Sequence, residues 1–283
     1  MSTAHAPSPP LTPLPESWMA RPRPTAMLRD AWILIRRDLA HLRYEPGGLL
    51  AELIWPVIMI LIFGYVLGSA IAIPGGGNYR DYLLPGLFVL NQVFTLSIIA
   101  GGVANDAEAG VTDRFRSLPM SPMAVPLGIT GADIVKSMLG LAITTGLGLL
   151  VGFRIHDGAA NAALAFVLLI LFRYAISWIG TFLGLLVSPT TADFLFPLTF
   201  PFAMIANMFV PTAGFPAWLR VVADWNPVSS AVAATRKLFG SPGAADATAW
   251  PLAHPVLVTF GWIVLILAVF MPLACWRYRT TTR

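Results

Sequence analysis

Side chains that could catalyse a reaction or hold a metal ion are few in this sequence and widely separated. The 283 residues include one cysteine, which excludes an intrachain disulfide, a cysteine cluster for zinc and an iron–sulfur site. The H-E-x-x-H pattern of zinc hydrolases and the G-x-S-x-G pattern of serine hydrolases are both absent from the sequence. We therefore expect neither a catalytic nor a metal site. The scattered histidines are His5, His41, His156 and His254, and the cysteine is Cys275.

The scarcity of charge indicates a membrane protein. Charged residues make up 11% of the chain and hydrophobic residues 57%, with a mean hydropathy of +0.73. A soluble domain carries about 25% charged residues, so this chain lacks the polar side chains to cover a water-facing surface. The composition excludes soluble enzymes, nucleic-acid-binding proteins and disordered proteins, and no nucleic-acid partner is expected despite the net charge of +4.

Six apolar stretches are long enough to cross a membrane as helices, which takes about 20 mostly apolar residues each. Seven prolines between positions 7 and 24 prevent a helix in residues 1–24, which we expect to form a disordered cytoplasmic tail. Residues 25–44 repeat apolar side chains at helical spacing with arginines between them, which predicts a helix in the membrane interface. A solvated helix packed on a partner is the alternative. The predicted spans are residues 49–73, 82–103, 125–153, 159–187, 192–210 and 256–276.

The distribution of basic residues predicts that both termini are cytoplasmic. With the N-terminus inside, 11 of the 18 Lys and Arg residues fall in cytoplasmic segments and five in outer segments, as the positive-inside rule requires. The other two, Lys136 and Arg173, lie inside predicted spans. The expected fold is an all-α polytopic membrane protein with one transmembrane domain over residues 25–279 and a short tail at 280–283.

The predicted cytoplasmic connection at residues 105–122 concentrates charge in a chain otherwise short of it. The spacing predicts a short helix from Asp113 to Leu118 that ends before Pro119. Phe115 and Leu118 would form a small apolar face that fits a groove on a soluble partner, with Arg114 and Arg116 reaching acidic groups at its rim. A merely solvated, positively charged loop is the alternative.

The outer stretch at residues 211–253 is too long for a turn and too apolar for an ordinary loop. It predicts a short helix at residues 216–223 and a second from Ser229 to Phe239, closed by Gly240, with a break at residues 225–227. Such a pair could dip into the outer leaflet and return. An extracellular cap lying on the membrane surface is the alternative.

In this order of segments the chain resembles the membrane-spanning subunits of type-2 ABC transporters, and among them the daunorubicin-resistance-type permeases of actinobacteria. The resemblance covers about residues 25–279 and is most specific from Glu108 to Pro122. It assigns a coupling helix to the segment at residues 105–122 and an outer re-entrant hairpin to the segment at residues 211–253. The coupling residues it implies are Glu108, Gly110, Asp113, Arg114, Phe115, Arg116, Leu118 and Pro119. The hairpin residues it implies are Trp218, Arg220, Asn226, Pro227 and Arg236.

The resemblance also implies the partners and the cellular location. Two copies of a separate ATP-binding subunit would bind ATP and Mg²⁺, and a second permease, identical or related, would complete the transporter in the bacterial cytoplasmic membrane. The sequence agrees that this chain holds no such cofactor. Its lysines, Lys136 and Lys237, do not follow glycine, so the G-x-x-x-x-G-K-[ST] phosphate-binding loop is absent.

Polar and aromatic residues inside the predicted spans are the remaining candidates for a substrate path. Membrane lipids are expected as further partners of the chain. Asp133 and Lys136 stand at i,i+3 and could pair with each other. Arg173 would face a subunit seam or a wet cavity, or snorkel to the membrane surface, and these readings stay open. Gly180 and Gly184 permit close helix packing, as do two similar pairs. The candidate path residues are Asn91, Gln92, Arg173, Phe200 and Met204.

The function predicted from these features is an ATP-driven exporter permease for an amphipathic or lipophilic molecule, such as a drug, an antibiotic or a complex lipid. Export of a polysaccharide or lipid-linked glycan is the alternative within the same class. An ion-driven secondary transporter would need midplane acids and paired broken helices. A non-transport scaffold would have no ATPase partner.

Overall fold

The computed structural model describes residues 24–44, 54, 57–67, 78–116, 123–209, 212–241 and 249–280. All regular secondary structure in these ranges is helical. The N-terminal half contains α1 (Pro24–Tyr44), a π-helical turn (Ile62–Leu67), α2 (Tyr79–Glu108), α3 (Val111–Arg116) and α4 (Ala124–Leu150). The C-terminal half contains α5 (Gly158–Gly184), α6 (Pro189–Ala192), α7 (Leu195–Met204), α8 (Ala217–Asp224), α9 (Pro227–Phe239), α10 (Trp250–Ala253) and α11 (Pro255–Thr280), with a 3₁₀ turn at Thr212–Gly214.

Four helices of the described chain are long and apolar enough to cross a membrane by length and composition, namely α2, α4, α5 and α11. They have 30, 27, 27 and 26 residues. They correspond to the second, third, fourth and sixth predicted spans, which the apolar runs located to within a few residues. The first predicted span, residues 49–73, lies largely outside the described residues, so the count of six spans stays a prediction.

The fifth predicted span, residues 192–210, does not form one long helix. The chain forms the short α6, turns at Asp193 and Phe194, and restarts as α7. Pro197 falls in the first turn of α7, where its missing N–H and fixed φ are tolerated, but a helix running through it would lose a hydrogen bond to Asp193. Pro197 and Pro201 predict a kink in this span, and the structure instead shows an interruption before Pro197.

Close contact between α2 and α5 forms the centre of the bundle. A Cβ added at Gly180 would lie 2.7 Å from the Leu96 carbonyl oxygen, and one at Gly184 would lie 2.6 Å from that of Ala100. Only glycine lets the two backbones approach this closely. The predicted packing role of this glycine pair is thus realised within the chain. α11 packs on α5, and α1 packs on α4.

α9 folds back on the bundle and packs against α2, α5 and α11. Phe239 at the end of α9 lies edge-on to Phe88 of α2, at 6.1 Å between ring centroids, and to Phe153, at 5.7 Å. All three rings are completely buried. Gly240 ends α9 with φ +67°, a left-handed conformation, as predicted for the residue that closes this helix.

Candidate functional site

A buried ion pair joins α4 to α5 inside the bundle. Arg173 donates from Nε to Oδ2 of Asp133 at 2.9 Å and from its terminal nitrogen to Oδ1 at 2.6 Å. Thr95 of α2 donates a third hydrogen bond to Oδ1 at 3.0 Å. Arg173 is 3% exposed and Asp133 5%. One carboxylate therefore ties three helices together, and its charge is matched by a guanidinium in two-pronged geometry.

The predicted Asp133–Lys136 pair is wrong. Lys136 instead donates to Oδ2 of Asp38 on α1 at 2.7 Å, and both side chains are partly exposed. The i,i+3 spacing allowed the two residues to meet, but Asp133 faces α5 and Lys136 faces α1. Arg173 does not snorkel to the surface, since a carboxylate at its own depth holds it.

Gln92 extends the polar layer along α2. It accepts a hydrogen bond from Ser137 of α4 at 3.2 Å and donates to the carbonyl of Phe88, at 3.1 Å, on its own helix. This is the hydrogen bonding between helices that a mid-span glutamine was expected to provide. Asn91 is only partly buried.

A cavity of about 290 Å³ lies beside this polar layer, between α1, α2 and α4. Apolar residues of α1, α2 and α4 line much of its wall, among them Leu34, Ile99 and Val103, and acidic and basic side chains line the remainder. The charged residues around it are Arg37, Asp38, Asp106, Asp133, Lys136 and Arg173. Arg173 therefore lines a cavity while its charge is paired with Asp133.

The predicted coupling segment begins where α2 ends. Gly110 takes φ +69°, a conformation that favours glycine, and turns the chain from α2 into α3. α3 (Val111–Arg116) begins two residues earlier than predicted and reaches the last described residue of this range. Arg114 is exposed and Glu108 is exposed. The helix backbone includes Asp113, Phe115 and Arg116, and the predictions for Leu118 and Pro119 lie outside the described residues.

Arg236 is the centre of a second buried cluster, at the opposite end of α2. It is 2% exposed and donates to the carbonyl oxygens of Tyr82 at 3.0 Å, Asn207 at 2.8 Å and Met208 at 2.7 Å. Its guanidinium also lies 3.5 Å from the centre of the Tyr82 ring. The cation is therefore balanced by carbonyl dipoles and an aromatic face.

The other predicted hairpin residues lie around the break between α8 and α9. Asn226 caps α9 by accepting from the amide of Val228 at 2.8 Å and donates to the Phe202 carbonyl at 3.1 Å, while Pro227 opens the helix. Trp218 is 71% exposed. Arg220 is exposed and donates to the Phe215 carbonyl at 3.2 Å. The segment thus exposes the apolar Trp218 together with Arg220 and buries Asn226.

Phe200 and Met204 lie on α7, both partly buried. The ring of Phe200 stacks on Phe94 of α2, with centroids 6.2 Å apart. These residues therefore contact the bundle, and the exposed side of α7 is formed by other side chains, Phe194, Leu198 and Phe202.

Sequence reasoning missed several partners of the polar residues it selected. Asp133 and Thr95 hold Arg173, Asp38 holds Lys136, and Tyr82 holds Arg236. Along the chain, Asp133 and Arg173 are 40 residues apart, Asp38 and Lys136 are 98 apart, and Tyr82 and Arg236 are 154 apart. No local pattern could have revealed them. In the described residues no group of three or more His, Cys, Asp and Glu side chains could hold a metal ion.

A bundle of long apolar helices, with its few charges buried in pairs or placed at helix ends, defines a multi-pass α-helical membrane protein. Residues 29–239 match the ABC-2 type transporter family, and the chain belongs to this family. It is accordingly a permease subunit of an ABC transporter.

Curated relatives cover nearly the whole chain. A daunorubicin resistance ABC transporter permease protein of Streptomyces coeruleorubidus is 33% identical over 263 residues, which are 90% of this chain and 86% of the relative. A doxorubicin resistance ABC transporter permease protein of Mycobacterium tuberculosis is 30% identical over 85% of this chain and 86% of its own. An inner membrane transport permease of Escherichia coli is 23% identical over 88% and 96%.

Proposed function

We propose that this chain forms the transmembrane path of an exporter for an amphipathic, drug-like molecule, driven by two copies of a separate ATP-binding subunit. The names of the two drug-resistance relatives support the substrate class. A second permease, identical or related, would complete the path. Both termini would be cytoplasmic, and ATP and Mg²⁺ would be bound by the partner.

The observation that carries the proposal is the continuity from α3 into α2. α3 follows α2 after a single turn at Gly110, and α2 is buried over most of its length, in contact with α5, α9 and α7. A displacement of α3 by a soluble partner would therefore act directly on the helix at the centre of the bundle. Movement of α2 would be transmitted to the outer hairpin through Tyr82 and Arg236.

The exposed apolar side of α8 supports a re-entrant or interfacial position for the hairpin. Trp218, Val221, Val222 and Trp225 are each more than half exposed. Tryptophan is enriched where membrane meets water, because one part of the indole is apolar and its N–H is polar. A surface cap bathed in water would leave these side chains without an apolar environment.

The test is to replace Phe115 and Leu118 together with alanine. We expect loss of the copurifying ATP-binding subunit and loss of ATP-dependent daunorubicin uptake into inside-out vesicles, which corresponds to efflux from the cell, with normal membrane insertion. The control is Leu150→Ala, because Leu150 is 85% exposed at the far end of α4 and should leave both readouts unchanged. Normal efflux by the double variant would contradict the coupling role.

The same vesicles separate the remaining alternatives. Efflux that survives ATP depletion but collapses with the ion gradient would indicate a secondary transporter. Absence of any copurifying ATPase would indicate a scaffold. ATP-dependent transport of a lipid-linked glycan, without transport of daunorubicin, would favour the glycan exporter.

A further inference from the structure

The cavity beside the Asp133–Arg173 pair has the form of an open cleft between α1 and α2. α1 packs on α4, and the cavity separates Leu34 and Arg37 of α1 from Ile98 and Gly102 of α2. Ile98 is 58% exposed, so the rim of the cleft reaches the surface of the protein. A Cβ at Gly102 would meet no atom within 4 Å, which means that the cleft is open at this position.

The charges around the cleft balance one another. Three acids (Asp38, Asp106 and Asp133) face three bases (Arg37, Lys136 and Arg173). The most accessible pair is Lys136 with Asp38, whose side chains are 28% and 39% exposed. A ligand with a single charge could bind one of these two side chains, but the other would then lose its counter-charge. A zwitterion can contact both members at once.

The cleft extends from the headgroup region of a bilayer toward its interior. α2 has 30 residues, so at 1.5 Å per residue it is about 45 Å long, which exceeds the hydrocarbon thickness of about 30 Å. Asp106, two residues before the end of α2, marks the headgroup end of the cleft, whereas the charged residues Asp133 and Arg173 lie deeper, at the level of Thr95 near the middle of α2. The apolar wall beside them would contact the first part of an acyl chain.

We propose that this cleft binds the zwitterionic headgroup of an amphiphile, with its ammonium group against Asp38 and its phosphate against Lys136. The proposal goes beyond the export function, because it concerns a site for lipid chemistry that requires neither ATP nor the drug. A bilayer phospholipid and an exported zwitterionic amphiphile share this chemistry. About 290 Å³ holds a headgroup and the beginning of a chain, not a whole lipid.

Native mass spectrometry of the purified full-length chain tests the proposal, with phosphatidylethanolamine and phosphatidylglycerol of matched acyl chains as probes. We expect wild-type protein to retain phosphatidylethanolamine in preference to phosphatidylglycerol. Gly102→Leu should abolish the retention by filling the cleft. Gly101→Leu is the matched control, because Gly101 is the neighbouring residue, also has open space at its Cβ, and does not line the cleft.

The charge variants test the headgroup contacts. Asp38→Asn and Lys136→Met should each lower retention about threefold, the scale of a partly exposed ion pair. The exchanged double variant D38K/K136D should restore it, since a zwitterion can bind in the reverse orientation. Equal retention of phosphatidylglycerol, or equal losses in the Gly101 and Gly102 variants, would overturn the proposal.

A labelling experiment on the wild-type chain makes the test independent of how the variants fold. Phosphatidylethanolamine carrying a photoreactive headgroup should crosslink to peptides containing residues 34–38 or 98–106. Crosslinks confined to other segments would overturn the proposal. An excess of daunorubicin that removes the crosslinks would identify the site as part of the drug path, whereas unchanged crosslinks would identify a separate lipid site; both results uphold the cleft as a binding site.

Discussion

Among single residues, the carboxylate of Asp133 holds three helices together. It accepts three hydrogen bonds, two from Arg173 and one from Thr95, while nearly fully buried. Asp133→Asn would leave the buried guanidinium without a counter-charge, and we expect the free energy of unfolding to fall by about 3–5 kcal/mol. Thermal unfolding in detergent, followed by circular dichroism, measures the change.

Two variants distinguish the buried charge from packing. D133L/R173M replaces both charges with apolar groups and should recover most of the lost stability. Lys136→Met breaks the partly exposed pair with Asp38, and its cost should stay within about 1 kcal/mol. If Lys136→Met lowered the free energy of unfolding as much as Asp133→Asn, the buried pair would contribute no more to stability than the partly exposed pair.

Arg236 allows a second prediction, on the shape of its side chain. Its three guanidinium nitrogens donate to three separate carbonyl groups. A lysine has one ammonium nitrogen, which cannot reach all three carbonyl oxygens from the same backbone position. We expect Arg236→Lys to speed amide hydrogen exchange in α8 and α9 and to leave α4 unchanged. Exchange at the wild-type rate in the lysine variant would mean that positive charge alone fixes the hairpin.

For the helices as elements, the contact between α2 and α5 depends on glycine at two positions one turn apart. Gly184→Ala would place a methyl group 2.6 Å from the Ala100 carbonyl oxygen, which belongs to a helix backbone and cannot rotate away. Overpacking of this kind costs about 1–3 kcal/mol, so we expect a lower unfolding temperature in detergent.

Gly261→Ala on α11 is the control for this contact, since its added Cβ would meet nothing within 4 Å. It should leave the unfolding temperature unchanged or raise it, because alanine favours a helix more than glycine does. Similar losses in the two variants would argue against a specific α2–α5 contact.

For the whole molecule, the broken segment α6–α7 makes the number of membrane crossings testable. In a background of Cys275→Ala, single cysteines replace Ala159 at the start of α5 and Thr280 at the end of α11, both exposed. If residues 192–210 cross the membrane, three crossings separate the two positions and they lie on opposite sides. We expect an impermeant maleimide to label A159C in intact cells, and T280C only after permeabilisation.

Labelling of both cysteines in intact cells would show that α6 and α7 do not complete a crossing. Labelling of T280C alone would invert the orientation predicted from the arginines. Each result is specific, because the accessibility of the two positions changes with the number of crossings and with the orientation.

Local chemistry made much of the architecture predictable. The apolar runs located α2, α4, α5 and α11. In hydrocarbon a helix satisfies its backbone groups by its own hydrogen bonds, and its side chains must be mostly apolar over the whole span, which leaves a long apolar run in the sequence. Gly240 marked the end of α9 because its backbone preference acts at a single position, whereas Pro227, expected in the break before this helix, is its first residue. Two prolines in residues 192–210 indicated that this helix would be disturbed, but they did not indicate where it would be interrupted.

The membrane class, the helical segments, the expectation of cytoplasmic termini and the resemblance to ABC-2 permeases therefore came from composition and short-range pattern. The pairing of Asp133 with Arg173, of Lys136 with Asp38 and of Arg236 with three carbonyls required the fold. The cleft between α1 and α2 required it as well. The physical reason is that spacing along a helix fixes which side chains share a face, whereas helix packing determines what that face meets.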